Sequence, residues 1–511
     1  MRHSIRPTNS VWSGLLCIQI TFKEEQNHSE HESPITNPKS KPRPQRNPTI
    51  EPLTTDRDAA MTLPRPAPAP LLLLLQLIAT AAITSALASG QIMNNTQAMA
   101  MALDVNEIPQ RYDEAQLWRI YNISEAMQRQ VPVGQVLEQK FGGNIWKENS
   151  KFLDISIGKE QLKAARSFLD AQRLDAQVLS ENVQALIDEE HLDGINATAP
   201  EQGQRSKKAA RSSMHWKDYH DLETIYAFMR EIRSKFPNIV RLYTIGQTAE
   251  GRDLKVLRIS ENPREYKKIW IDGGIHAREW ISPATVTFIL YQLMSNWENQ
   301  PAHIRGLTWY IMPVMNPDGY EYSRTTNRLW RKNRSPSRRS NCLGVDLNRN
   351  FDIGWAGYGS STNPCSDTYR GSSPASEAET KVVAEFLAKR KYNLEAYLTY
   401  HSYGQMIVYP WAYKAVKVKD ASVLQRVGNT AVQRISQKTG STYQSAVTHE
   451  VLGIAGGGSD DWSRAALGVK YVYTVELRDR GTYGFVLPPK FIKDTALEGW
   501  TVAETVAQAI G

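Results

Sequence analysis

No stretch of this sequence is apolar for long enough to make a clear transmembrane helix. The longest apolar run extends from Leu71 to about Ile83, which is short for a helix that crosses a bilayer. The sequence also has no basic motif interleaved with aromatic side chains. Its lysines and arginines are scattered, so the net charge of +8 does not indicate a nucleic-acid partner.

Cysteine is scarce, with three in 511 residues. Cys17 lies in an N-terminal tail. Cys342 and Cys365 lie close together in the C-terminal half, separated by Gly- and Ser-rich sequence. In a secreted chain this pair would form a disulfide that closes a short loop. In a cytosolic chain the two would be free thiols.

The first 90 residues carry two segments that precede any globular domain. Residues 1–60 are rich in Pro, Ser, Asn, Lys and Glu and are predicted to be a disordered extension. Residues 61–90 combine a basic start, the apolar run and the small-residue triplet Ala86-Leu87-Ala88, which predicts a signal peptide. We favour translation from Met61; the alternative is that the longer form uses the segment as an internal signal or anchor. N-glycosylation sequons, which are compatible with secretion, begin at Asn94, Asn122, Asn196 and Asn333.

The remaining chain divides into two predicted domains. Residues 91–211 contain short strand and helix patterns but no set of metal ligands or nucleophiles, which indicates a small structural α+β domain. The polar segment from Gly194 to Ser213 carries basic residues that suit a trypsin-type protease. In residues 212–511, strand patterns alternate with helical ones, which predicts a mixed, largely parallel sheet with helices on both faces.

One loop of the second domain carries a candidate metal site. An apolar strand from Ile269 is broken by Gly273 and Gly274, and His276 and Glu279 follow. We expect Ser282-Pro283 to be the N-cap and first residue of the next helix. Ligands bind at strand ends in open α/β sheets, and imidazole and carboxylate are good zinc ligands. The pair alone is a weak signal, because H-x-x-E also occurs by chance.

Seven short motifs follow one another along this domain. They are His276-Ala-Arg-Glu, Asn316-Pro-Asp-Gly-Tyr, Asn327-Arg-Leu-Trp-Arg-Lys, Gly344-Val-Asp-Leu-Asn-Arg-Asn-Phe, Thr399-Tyr-His-Ser-Tyr, Gly458-Ser-Asp-Asp-Trp and Glu476-Leu-Arg-Asp. In combination they make the chain resemble the zinc metallocarboxypeptidases of the pancreatic A/B type. The resemblance extends from about Val105 to Gly511. It implies an eight-stranded catalytic sheet preceded by an open-sandwich prodomain.

The resemblance implies the chemistry of the site. His276, Glu279 and His401 would hold one zinc ion, with the fourth position left for water. Glu476 would be the general base that takes a proton from this water. Arg331 would polarise the scissile carbonyl and stabilise the oxyanion.

The resemblance also implies how a substrate is held. Asn348 and Arg349 would clamp the free C-terminal carboxylate, which would make the enzyme an exopeptidase. Asp460 would lie at the base of the pocket for the C-terminal side chain, where an aspartate goes with Lys or Arg. Further substrate contacts are expected from Arg278, Arg331, Ser402, Tyr403 and Phe485.

One departure from the family pattern concerns substrate binding. The family usually has a tyrosine on a mobile loop five residues before the Gly-Ser-Asp-Asp-Trp run, where it closes over the substrate. Here that position is Gly453. Glycine cannot donate the side-chain hydrogen bond, so we expect weaker substrate binding. Two rival functions follow: a peptide-binding protein with little turnover, and an endopeptidase that has lost selectivity for a terminal carboxylate.

The remaining implications concern biosynthesis and partners. Cys342 and Cys365 match the disulfide pair of the family, and cleavage after Arg211 by a trypsin-like protease would release the inhibitory prodomain. We therefore expect a secreted, monomeric zymogen that acts on peptides and proteins with a free C-terminus. No nucleic-acid partner and no stable membrane association after signal removal are expected.

Overall fold

The computed structural model describes most of the chain from residue 108 onward. The described ranges are 108–123, 131–149, 151–195, 214–264, 266–338 and 340–511, all within one compact unit that spans Thr84–Gly511. The predicted extension, signal peptide and Arg211 cleavage site lie outside these ranges. Within them, no helix combines the length and the apolar character needed to cross a membrane.

The N-terminal part of the described chain is a small α+β domain. Its antiparallel sheet has the order β2-β3-β1-β4, and two helices cover one face, where their apolar residues pack on the strands. The elements are β1 (Gln116–Tyr121), α1 (Val133–Phe141), β2 (Asn144–Glu148), β3 (Phe152–Ile157), α2 (Leu162–Ala171), β4 (Ala176–Ser180) and α3 (Val183–Ile195). The predicted open sandwich is confirmed.

The larger domain is built on an eight-stranded mixed sheet, also as predicted. Its order is β11-β10-β12-β9-β7-β8-β6-β5, and four of the seven neighbouring pairs are parallel, including the central run β12-β9-β7-β8. The strands are β5 (Val240–Gln247), β6 (Asp253–Ile259), β7 (Lys267–Gly273), β8 (Leu307–Met312), β9 (Leu394–His401), β10 (Met406–Tyr409), β11 (Gln444–Val447) and β12 (Tyr471–Glu476).

Helices cover both faces of this sheet because successive strand residues point to opposite sides. In β7, Ile269 and Ile271 face one apolar core, and Trp270 faces the other. The helices are α4 (Leu222–Lys235), α5 (Ile281–Met294), α6 (Ala302–Arg305), α7 (Pro317–Thr325), α8 (Ala378–Ala388), α9 (Ala421–Thr439), α10 (Thr448–Val451), α11 (Ser459–Leu467) and α12 (Ile492–Ile510).

The loop between β7 and α5 differs from expectation at its serine. Helix α5 begins at Ile281, so the prediction that Ser282 caps it was wrong. The Ser282 hydroxyl instead accepts a hydrogen bond from the Gly274 amide (2.9 Å) and donates one to the Tyr400 carbonyl of β9 (2.5 Å). The Ser282 hydroxyl therefore binds the loop and the neighbouring strand β9 rather than the amides of the first turn of α5.

The parallel strands bring distant parts of the chain together at one sheet edge. The carboxyl ends of β7, β9 and β12 are neighbours, since Gly273 pairs with Tyr400 and His401 pairs with Glu476. The loop after β7 therefore meets the last residues of β9 and β12.

Candidate metal centre and catalytic cleft

Three buried side chains converge where β7 and β9 end. His276 Nδ1 lies 2.7 Å from Glu279 Oε1 and 3.2 Å from His401 Nδ1, and His401 Nδ1 lies 3.1 Å from Glu279 Oε2. One ligand atom from each residue falls within 4.8 Å of the others. Two imidazole nitrogens and a carboxylate on one side of a cleft fit a catalytic zinc ion, which takes three protein ligands.

Asp346 supports this group from behind. Its carboxylate lies 3.3 Å from His276 Nε2, and it accepts hydrogen bonds from Nε and Nη2 of Arg331 at 3.0 and 2.9 Å. Burial is the largest single influence and opposes the charged form, but Arg331, Arg349 and His276 together outweigh it and hold the pKa of Asp346 well below its usual range. Asp346 thus stays ionised, fixes the orientation of Arg331 and lies close to the far nitrogen of His276.

Glu476 stands at the end of β12 beside His401. Burial raises the pKa of its carboxyl, although the positive charges of His401 and Lys147 act in the opposite direction. A carboxylate with a raised pKa is a better proton acceptor than an exposed one. Its position therefore suits a general base next to the metal group.

A cavity of about 180 Å³ opens in front of these residues. Most of the predicted substrate-binding residues line it, namely Arg331, Asn348, Arg349, Ser402, Tyr403, Asp460 and Phe485. Arg278 does not line this cavity. It lies behind Phe485, with its guanidinium carbon 4.2 Å from the ring centroid.

Two of the three guanidinium nitrogens of Arg349 donate hydrogen bonds within the protein. Nε donates to the Gly359 carbonyl (2.6 Å), and Nη1 donates to the carbonyl of Asn348 (2.8 Å). Nη2 can then donate to a substrate. Burial lowers the pKa of Arg349, although Asp346 opposes this shift. Among the described residues, no carboxylate is in hydrogen-bond contact with Arg349, and a partly buried cation of this kind is well suited to bind one.

Two adjacent aspartates at the cavity have different surroundings. Asp461 accepts hydrogen bonds from the backbone amides of Ala412 and Tyr413, so it supports the wall. Asp460 accepts one hydrogen bond from the Thr474 hydroxyl (3.1 Å) and is 4% exposed. Among the described residues no cation lies within ion-pair distance of Asp460. Its charge is therefore available inside the cavity.

Gly453 also lines the cavity, on the loop that follows α10. Its φ is +85°, and a Cβ built there would meet no atom within 4 Å. The position is thus open toward the cavity, and the left-handed backbone favours glycine.

Comparison with known proteins assigns the chain to a family. Residues 225–502 match the family model described as zinc carboxypeptidase, and residues 121–190 match carboxypeptidase activation peptide. The chain belongs to the zinc carboxypeptidase family. This carboxypeptidase is 38% identical to carboxypeptidase A4 of Mus musculus over 72% of its own length and 87% of the relative. It is also 38% identical to carboxypeptidase B2 of Rattus norvegicus, over 74% and 90%.

Solved structures agree with this assignment. The crystal structure of thrombin-activatable fibrinolysis inhibitor matches with a TM-score of 0.68 and 32% identity, covering 78% of this chain and 99% of that one. Carboxypeptidase A from Helicoverpa armigera matches with a TM-score of 0.70 and 27% identity, covering 78% and 98%. The predicted family, fold class, enzyme class and zinc cofactor are confirmed: the protein is a zinc metallocarboxypeptidase with an activation peptide.

The activation peptide of this carboxypeptidase reaches into the cleft through β2 and β3. Lys147 Nζ donates to the Tyr403 carbonyl (2.7 Å), and Trp146 packs against Phe485 with 5.3 Å between ring centroids. Asp154 of β3 accepts a hydrogen bond from the Tyr403 hydroxyl (2.7 Å). Two predicted substrate contacts, Tyr403 and Phe485, are thus already occupied.

Two arginines of the catalytic domain are also held by the activation peptide. Arg278 donates to Asn144 Oδ1 and to the Ile145 carbonyl, both at 2.9 Å. Arg328 makes a buried two-pronged ion pair with Glu190 of α3, at 2.6 and 2.7 Å. Bidentate arginine–carboxylate pairs have a fixed geometry, so they fix the orientation of the activation peptide over the cleft.

The covalent features of the carboxypeptidase agree with expectation in part. Cys342 and Cys365 form a disulfide with an S–S distance of 2.03 Å. Asn333 is fully buried, and its amide nitrogen donates to Glu377 (2.8 Å) and Glu379 (3.2 Å), so its sequon cannot carry a glycan in this fold. Asn122 is exposed. Asn94 and Asn196 lie outside the described residues.

Sequence reasoning missed several residues of the cleft. Asp346 lies within the motif that begins at Gly344, and its position three residues before Arg349 could have indicated that it lies near the substrate-binding residues. Thr474 was equally findable, because it lies on the same face of β12 as Glu476. Nothing in the sequence pointed to Lys147, because it reaches the cleft only when the two domains dock.

Proposed function

We propose that this carboxypeptidase removes single Lys or Arg residues from the C-termini of peptides and proteins. The observation that carries this specificity is Asp460. It is a buried carboxylate in the cavity, with one hydroxyl partner and, in the part of the chain that the structure describes, no cation within ion-pair distance. Burying a charge without a partner is costly, and the ammonium or guanidinium of a substrate would supply that partner.

The proposed roles follow from the geometry of the cleft. His276, Glu279 and His401 would hold zinc, which would supply Lewis acidity at the scissile carbonyl. Glu476 accepts the proton of the attacking water and returns it to the leaving amine.

Two arginines act on the substrate itself. Asp346 engages Nε and Nη2 of Arg331, so Nη1 is left to donate to the developing oxyanion. Arg349, together with Asn348, binds the terminal carboxylate. That contact excludes internal residues, which have no free carboxylate.

The specificity is tested with matched substrates. Trypsin-treated protein is given peptides that end in Arg, in citrulline (the neutral isostere of Arg) or in Phe. We expect kcat/KM for Arg to exceed that for citrulline by at least about tenfold, because hydrogen-bonded charges contribute about 1.5–3 kcal/mol. Asp460→Asn keeps the volume and removes the charge, so it should abolish this preference. Equal cleavage of Arg and citrulline by the wild type would contradict the proposal.

We also propose that the protein is made as a secreted zymogen. The disulfide fits an oxidising compartment, and the contacts of β2, β3 and α3 support a peptide that covers the cleft. Cleavage in the basic segment before residue 212 would release it. N-terminal mass spectrometry of the secreted protein before and after trypsin tests the start at Met61, the signal cleavage and the Arg211 site together.

A second candidate function rests on Gly453. With no side chain to close the cavity at this position, the protein would bind peptides and turn them over slowly. Peptide binding without hydrolysis by zinc-loaded, processed protein would favour this candidate over the first.

A further inference from the structure

The two ring nitrogens of His401 have different surroundings. Nδ1 points into the metal group, 3.1 Å from Glu279 Oε2 and 3.2 Å from His276 Nδ1. Nε2 points away from it and lies 3.2 Å from the Thr399 hydroxyl. A metal bound at Nδ1 leaves the imidazole proton on Nε2, so Nε2 is the donor in this contact and the hydroxyl oxygen is the acceptor.

Thr399 passes the interaction on to a buried carboxylate. Its hydroxyl donates to Asp272 Oδ1 at 2.6 Å, which leaves its lone pairs free to accept from His401. Asp272 Oδ2 accepts from Trp270 Nε1, also at 2.6 Å. Donors and acceptors therefore alternate without conflict from His401 through Thr399 to Asp272.

The sheet holds this arrangement in place. Asp272 and Thr399 are directly paired in the register of the parallel strands β7 and β9. Both are fully buried, so water does not compete for either group. Thr399 and His401, two residues apart on one strand, point to the same face. The contacts thus follow from backbone geometry rather than from flexible side chains.

The two histidines are supported differently. His276 has the carboxylate of Asp346 close to its far nitrogen, and Arg331 neutralises that carboxylate. The far nitrogen of His401, Nε2, reaches a carboxylate only through a hydroxyl. Among the described residues, Asp272 has no cation within ion-pair distance, so no cation neutralises its charge before it acts on the hydroxyl.

We propose that Asp272 and Thr399 are positioning residues for the metal ligand His401. The relay fixes the tautomer with the proton on Nε2, fixes the ring with Nδ1 toward the metal, and makes Nδ1 a stronger donor. Outer partners of this kind typically contribute 10–100-fold to metal affinity. The relay is independent of the proposed Lys/Arg preference, because it lies beneath the metal group and not in the cavity.

The test measures the zinc dissociation constant of the full chain by competition with a chelator. Thr399→Val keeps the side-chain volume and removes the hydroxyl, so zinc should bind 10–100-fold more weakly. Thr399→Ser keeps the hydroxyl and should stay within about threefold of the wild type, and Asp272→Asn should fall between these two variants. Thr308→Val is the matched control, because Thr308 is an equally buried strand threonine whose hydroxyl contacts Ser260 (2.8 Å) away from the site.

A second measurement separates positioning from general destabilisation. With cobalt in place of zinc, Thr399→Val should change the visible absorption spectrum, and Thr308→Val should not. The melting temperature of the metal-free protein shows whether each variant folds. Equal zinc affinity of Thr399→Val and Thr308→Val would overturn the relay, as would equal weakening by Thr399→Ser and Thr399→Val. Wild-type affinity in a folded Asp272→Asn variant would overturn the role of the carboxylate.

Discussion

At the scale of single residues, neighbours in the sequence have unrelated roles in the cleft. Asp460 and Asp461 are chemically identical, yet one lines the cavity and the other accepts hydrogen bonds from backbone amides. Burial and repulsion from Asp460 raise the pKa of Asp461. At Gly453 it is the lack of a side chain that matters, because it leaves the cavity open at this position. Function therefore depends on the direction of each side chain.

The first prediction concerns Gly453. Gly453→Tyr should lower KM for C-terminal Arg peptides about tenfold, because a phenol hydroxyl can donate to the substrate carboxylate. A Cβ has room at this position, but the φ of +85° makes any substitution strained, by about 1–3 kcal/mol.

The control is Gly453→Phe, which has the same bulk and the same strain but no hydroxyl. Steady-state kinetics of both trypsin-treated variants should separate the two effects. An equal fall in KM for Tyr and Phe would show that bulk, not hydrogen bonding, is what the loop lacks.

At the scale of elements, helix α8 carries a buried acid beneath the site. Glu379 lies in its first turn, fully buried, and its Oε2 accepts from Asn333 at 3.2 Å. Burial raises the pKa of Glu379 to about 8. Asn333 in turn accepts from the Val345 amide (2.8 Å), next to Asp346. Hydrogen bonds thus connect Glu379 through Asn333 to the segment that holds Arg331.

The second prediction is a pH dependence of stability. An unfolded chain loses the Glu379 proton near pH 4.5, whereas the folded chain keeps it until about pH 8. At this residue the folded state therefore binds more protons across the window, so the contribution of Glu379 to stability falls as the pH rises from about 4.5 to 8. Glu379→Gln removes this contribution, so its melting temperature should fall less steeply between pH 5 and pH 8, by a few degrees.

Glu385→Gln is the control for this experiment, because Glu385 is an exposed glutamate of the same helix. Its melting temperature should follow that of the wild type at every pH. Parallel curves for wild type and Glu379→Gln would mean that Glu379 does not titrate in this range.

At the scale of the whole molecule, the two domains share one active site. The activation peptide supplies Lys147, Asp154 and Glu190 to partners in the catalytic domain. Burial lowers the pKa of Lys147, although the charge of Glu476 opposes this shift. A lysine from one domain thus stands beside the proposed base of the other.

The third prediction follows from this contact. Lys147→Ala should raise the hydrolysis of a small C-terminal Arg substrate by the uncleaved protein about tenfold, since a hydrogen bond to a charged group is lost and the cleft opens. Lys151→Ala, at an exposed position of the same domain, should change nothing. After trypsin treatment all three proteins should have equal activity. An unchanged rate for uncleaved Lys147→Ala would show that inhibition does not depend on this side chain.

The sequence predicted the strands β5 to β9 and β12 and the helices α4, α5 and α8 of the larger domain to within a few residues. Nearly continuous apolar runs located β7, β9 and β12, because a parallel strand that is buried on both faces needs such residues. The edge strand β11, its neighbour β10, the strands β2 and β4, and the helices α1, α6, α7 and α9 to α12 were not predicted. Weak local patterns cannot indicate strands that are stabilised by their neighbours.

By itself, the sequence determined the family, the zinc-binding residue types and the disulfide partners, because the spacing of motifs records which side chains the chemistry needs. Only the tertiary structure decided how those residues are used. Ser282, predicted to cap a helix, instead donates a hydrogen bond to β9. Asn333, predicted to begin a glycosylation sequon, is buried and donates a hydrogen bond to Glu377. Lys147 of the activation peptide donates a hydrogen bond to Tyr403 in the cleft. Each outcome depends on a partner far away in the chain, and burial makes such a partner obligatory for a polar group. The residues next to a polar group in the sequence therefore do not predict which distant residue will be its partner.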